Sequence, residues 1–73
     1  MTEPRITSFL LSVAAGANTY AKIAARQVCT VKSARQNVTE ACRLGLLVVD
    51  VSGTIILTNE GAGEAARALM GQR

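Results

Sequence analysis

A change of hydrophobic period at Gly45 constrains this 73-residue chain more than any other feature. Before it, residues 31–44 read "VKSARQNVTEACRL" and fail as a strand, because alternate positions Val31, Ser33, Arg35, Asn37 and Thr39 share no apolar face. Wound at about 100° per residue, the same stretch sorts Val31, Ala34, Val38, Ala41 and Cys42 into one stripe. Lys32, Arg35, Gln36, Thr39 and Arg43 fall on the other side. Thr30 is the expected N-cap, and Gly45 the residue just past the helix end. After Gly45, "LLVVDVSGTIILT" turns β-rich: residues 46–49 and 54–57 flank "DVSG", the pattern of a hairpin.

The flanks read as further helices. Ile6, Phe9, Leu10, Val13 and Ala14 follow i, i+3, i+4, i+7, i+8, with Thr2 as cap, Pro4 in the first turn and Gly16 at the end. Leu11 falls off that stripe, so it is either surface or a contact for a second chain. Asn18 and Thr19 open a short helix carrying Tyr20, Ile23 and Ala24, which gives way at residues 27–29. Thr58 is positioned to cap a last helix, with Ala62, Ala65, Ala66 and Leu69 on one face. Gly61 and Gly63 weaken it by up to about 1 kcal/mol each relative to Ala, so it needs a packing partner. The fold class expected is mainly α with a small β-hairpin, and residues 1–73 make one domain, since a chain this short supports no second core.

Charge narrows the function. The net charge is +3, and residues 20–43 hold Lys22, Arg26, Lys32, Arg35 and Arg43 against Glu40 alone. Residues 46–73 hold Arg67 and Arg73 against Asp50, Glu60 and Glu64. A basic centre suits a polyanionic partner. Cys29 and Cys42 without any histidine make no zinc site, so no metal or other cofactor is expected. The N-terminal "ITSFLLSVAAGA" has some character of a signal-peptide core, but "MTEPR" before it carries an acid as well as a base, and Thr7, Ser8 and Ser12 interrupt it. No run reaches the ~18 apolar residues of a membrane span. The expectation is a cytoplasmic protein, off the membrane, with two buried, reduced thiols. Without histidine, a Gly-rich phosphate loop or a nucleophile–base pair, it is not expected to be an enzyme.

A short helix, a three- or four-residue break and a longer helix with a polar outer face make a helix-turn-helix, and an attached hairpin makes it a winged helix. Here "TYAKIAARQVCTVKSARQNVTEACRLGLL" followed by "IILTNEG" resembles the MarR-type transcription regulators over roughly residues 18–69. In that family an "IA" helix, a Ser/Thr-rich turn, a recognition helix ending in "GLL" and an "LT..G" exit from the wing recur in this order. The resemblance implies that Thr30 starts the recognition helix and that Lys32, Ser33, Arg35, Gln36 and Thr39 face the groove of double-stranded DNA. The residue chemistry agrees: Arg and Lys suit guanine, Gln suits adenine, and Ser or Thr bonds bases or phosphate. Tyr20, Lys22, Arg26, Thr30 and Arg43 are candidates for the DNA backbone, with Ser52 and Thr54 from the wing.

Two features depart from the family. The wing "VVDVSGTII" has no Lys or Arg and carries Asp50 at its turn. The chain is also about half as long as a full MarR-type protein, so that family's ligand binding is not expected of it. A homodimer, if formed, would use the first and last helices through Leu11, Leu69 and Met70, although packing on the hairpin is the expected fate of Leu69. The alternative to a DNA-binding regulator is a winged-helix module for protein or RNA, which the uncharged wing favours.

Overall fold

The structure, a computed structural model, describes residues 4–71. The element order is α1 (Pro4–Ala14), α2 (Tyr20–Gln27), α3 (Val31–Arg43), β1 (Leu47–Val49), β2 (Ile55–Leu57) and α4 (Asn59–Gly71). This is a mainly α, winged-helix arrangement: three helices, an antiparallel hairpin and a closing helix. The expected order holds, with α3 and both strands a residue shorter than the sequence pattern suggests. Thr2, the expected cap of α1, lies outside the described residues.

Helix α1 is the centre of the core. It packs on α2, α3, α4 and β2, burying Ile6, Phe9, Leu10 and Val13 against Ile23, Ala34, Val38, Leu47 and Ile55. The "ITSFLLSVAAGA" run therefore builds the fold from within. Leu11 is half-buried and packed against this core. Ala14, expected on the buried stripe, is exposed. Ser12 is buried instead, because Gln27 of α2 reaches across: its Nε2 donates to Ser12 Oγ at 2.5 Å and to the Ser8 carbonyl at 3.2 Å. Ser12 Oγ donates in turn to the Ser8 carbonyl, so the buried hydroxyl is satisfied.

Three helices end in the same way. In α1, Gly16 and Ala17 donate to the carbonyls of Val13 and Ser12; in α3, Gly45 and Leu46 donate to those of Cys42 and Ala41. Helix α2 repeats the pattern with Val28 and Cys29 donating to Ala25 and Ala24. Each is the Schellman arrangement, which needs one left-handed residue. Glycine supplies it at Gly16 (φ 110°) and Gly45 (φ 79°), but in α2 the residue is Val28 at φ 53°. A β-branched side chain in that region is strained, and Val28 is 91% exposed, so packing does not offset the strain.

The hairpin pairs Leu47 with Leu57, Val48 with Ile56 and Val49 with Ile55. It is anchored at both ends. The Ile55 N–H donates to the Asn18 carbonyl in the α1–α2 linker, and the Thr58 N–H donates to the Leu46 carbonyl. Thr58 Oγ1 donates to the Gly45 carbonyl at 2.6 Å and accepts the Gly61 N–H at 3.0 Å, which caps α4 as expected.

Helix α4 buries a different face from the one its alanines suggest. Gly61 and Ala65 are buried, whereas Ala62, Ala66 and Leu69 are exposed, a rotation of about one residue, or 100°. The cause is Gly61: a Cβ there would sit 1.9 Å from the Leu46 carbonyl oxygen and 3.2 Å from Leu57 Cδ2. The glycine is the packing partner's socket, and it fixes the helix rotation. Leu69 accordingly does not pack on the hairpin; it is 58% exposed, beside an exposed Met70. No described helix is long and apolar enough to cross a membrane.

Candidate nucleic-acid interface

Helix α3 starts where Thr30 Oγ1 accepts the Ser33 N–H at 3.1 Å, leaving the N–H groups of the first turn pointing out of the helix end. Its inner face is Ala34, Asn37, Val38 and Ala41, all buried. Two expected stripe members differ. Val31 is 46% exposed, because the neighbouring elements do not cover the first turn of α3, and Cys42 is half-buried. Asn37 takes a core position three residues after Ala34 and four before Ala41. Its amide donates back to the Ser33 carbonyl at 2.9 Å, which makes burial of the polar group tolerable. Sequence reasoning missed Asn37 because apolar stripes exclude amides by definition.

The outer face matches expectation. Lys32, Arg35, Gln36, Thr39 and Arg43 are all exposed, and Ser33 is half-buried at the edge. Among the described residues, ion pairs join Arg43 to Glu40 at 3.2 Å and Arg67 to Glu64; Lys22, Arg26, Lys32 and Arg35 belong to neither. Arg43 thus enters the surface half neutralised by its neighbour one turn back. Lys32 and Arg35 present full charges one turn apart, with the Gln36 amide beside them.

Tyr20 is in a different place from a simple phosphate contact. It is the first residue of α2, half-buried against the core, and its ring lies under the Arg35 guanidinium, 5.2 Å from Cζ to the ring centroid. No signal in the sequence links the two, because the contact crosses between helices. Lys22 and Arg26 sit one turn apart on α2, about 120–160° round from Tyr20. They line a shallow cleft of 290 Å³ against Ala15, Gly16 and Ala17. The structure therefore joins Tyr20 to the α3 face and sets Lys22 and Arg26 on the other flank of α2.

The wing residues are turned in on themselves. Asp50 Oδ1 accepts the Ser52 N–H (2.9 Å), the Ser52 hydroxyl (2.7 Å) and the Thr54 N–H (2.9 Å). The Ser52 and Thr54 hydroxyls are 3.1 Å apart, and Gly53, at φ 88°, donates to the Asp50 carbonyl. The Ser52 hydroxyl, then the backbone N–H groups of the turn, hold the Asp50 carboxyl below the usual carboxylate range, so the wing tip is anionic at neutral pH. The Ser52 N–H and hydroxyl and the Thr54 N–H are thus all engaged by Asp50. What remains outward is apolar: Val48 and Ile56, paired across the strands, and a fully exposed Val51.

Both cysteines are free and half-buried, less enclosed than expected. Burial pushes the Cys42 thiol up, which keeps it protonated and unreactive at neutral pH.

These features define a winged-helix domain with a basic, hydrogen-bonding helix face and a wing whose single charged residue is Asp50. No family model matches the chain, and no curated protein does. Among solved structures it is similar to an O-methyltransferase, NcsB1, from neocarzinostatin biosynthesis, in complex with S-adenosyl-L-homocysteine. The TM-score is 0.71 at 24% identity, over 82% of this chain and 20% of that one. The match supports the fold; the chain spans about a fifth of that enzyme's length.

Proposed function

We propose that this chain binds double-stranded DNA as a small transcriptional regulator, laying the outer face of α3 in the major groove. The observation that carries this reading is the pair of cations outside the ion pairs, Lys32 and Arg35, sharing one exposed helix face with Gln36. Arg35 and Gln36 have the donor–acceptor geometry for guanine and adenine edges, with Lys32, Ser33 and Thr39 able to bond bases or phosphate. The N-terminus of α3 at Thr30 favours a phosphate through its free N–H groups and dipole. Lys22 and Arg26 engage the backbone from the far flank of α2, and Arg43 contributes weakly because Glu40 holds it. The ordered resemblance to MarR-type regulators supports the same assignment. A two-fold dimer reading two half-sites would use the exposed Leu69 and Met70 of α4.

Selection of bound sequences from a random duplex pool tests the proposal. A recurring short site, palindromic if the chain dimerises, is the expected outcome. No detectable duplex affinity at low salt refutes it.

A second reading rests on the wing. Val48, Val51 and Ile56 expose an apolar surface with an anionic tip, which suits a protein partner better than a polyanion. A pull-down that retains a protein at high salt, with no duplex bound at low salt, would favour that reading.

A further inference from the structure

We infer that Tyr20 is a positioning residue that sets the base preference of Arg35, an inference that rests on the DNA-binding reading of α3. Arginine carries a large rotamer entropy, so an exposed one loses part of its binding energy when it is fixed against a base. Here α2 supplies a fixed platform. Tyr20 is half-buried against the core, at the first position of a helix whose start is held by Thr19, which accepts the Lys22 N–H at 3.2 Å. A two-torsion aromatic side chain in that setting costs little further entropy.

The guanidinium carries five N–H donors, and those that point away from the ring stay free for the paired guanine O6 and N7 acceptors. The ring quadrupole attracts the cation without competing for those donors. Tyr20 therefore acts through Arg35, and the ring, not the hydroxyl, is the required part.

The effect is read as discrimination between guanine and adenine at the position that Arg35 contacts. A cation–π contact at an exposed site corresponds to about two- to fivefold. Tyr20→Leu, which keeps apolar packing, should lose that factor, and Tyr20→Phe should retain it. In an Arg35→Ala background, Tyr20→Leu should produce no further loss. A second readout needs neither DNA nor a variant: in the free wild-type protein, the Arg35 Cδ protons should be shifted upfield in the NMR spectrum by the Tyr20 ring current.

Unshifted Arg35 protons overturn the inference. So does a Tyr20→Leu protein that discriminates like wild type, or one whose loss adds in full to that of Arg35→Ala. In those cases duplex binding by wild type leaves the DNA reading standing. Absence of any wild-type duplex binding removes both.

Discussion

The outer face of α3 and the wing treat their polar groups in opposite ways. On α3, Lys32, Arg35, Gln36 and Thr39 point to solvent, outside the ion pairs that hold Arg43 and Arg67. In the wing, one carboxylate oxygen collects the Ser52 hydroxyl and two backbone N–H groups, leaving Val48, Val51 and Ile56 outward. Their approaches differ too. The chain enters α3 through Val28, a strained left-handed residue, but reverses in the wing on Gly53, where that conformation costs nothing. Local rules are broken at the helix and kept at the wing. Sites that violate local preference are where function is expected, so the contrast supports the proposal that α3 is the working surface and the wing a structural support.

The largest expected effect tests the support. Gly61→Ala drives a Cβ into the Leu46 carbonyl at the base of the hairpin and should destabilise the domain by about 3 kcal/mol, read as a lower urea midpoint. An unchanged midpoint would mean that α4 does not hold the wing as described.

Next comes the working surface. Arg35→Ala should cost about 1–3 kcal/mol of discrimination at a single base position, measured by competition between duplexes, with stability to urea lowered by no more than about 0.5–1 kcal/mol, the value of its contact with Tyr20. A uniform loss across all sequences would recast Arg35 as a phosphate contact. Lys32→Ala should flatten the log–log dependence of affinity on salt by about one unit, whereas Asp50→Asn in the wing should leave that slope where it is.

The turn between α2 and α3 gives a smaller effect of opposite sign. Val28→Gly should stabilise the domain by about 1 kcal/mol, because it removes left-handed strain and loses no buried contact. A destabilised variant would show that the Val28 side chain has a partner.

The smallest effect belongs to the wing tip. Because the Asp50 carboxyl is held below its ordinary 3.8, its hydrogen bonds favour the folded turn above that pH. They are lost as the pH falls through the lower folded value. The Ser52 and Thr54 amide resonances should therefore keep their positions from neutral pH down to about 4 and move only in more acid solution. Movement around pH 6 would contradict the turn geometry.

Much of this contrast was legible in the sequence. The change of period at Gly45, the Thr30 and Thr58 caps and the exposed set on α3 follow from local chemistry, and the structure agrees. The absence of basic residues from the wing was equally plain. The missed features are those that depend on a neighbour. Ser12 and Asn37 are buried because particular carbonyls, and for Ser12 the Gln27 amide, satisfy them. Helix α4 turns about 100° from its alanine stripe because the Leu46 carbonyl occupies the space of a Cβ at Gly61. Residue 28 gives no hint of a left-handed conformation, since valine is the wrong residue for it. The contact of Tyr20 with Arg35 leaves no trace in the sequence, because helical periodicity carries no information about which ring meets which guanidinium.

The most direct measurement is NMR chemical-shift mapping as duplex DNA carrying a selected site is added to the labelled protein. Resonances of Lys32, Arg35, Gln36 and Thr39 should shift most, with those of Val51, Ser52 and Thr54 in the wing unmoved. Shifts centred on the wing, with α3 unchanged, would contradict the assignment of the working surface.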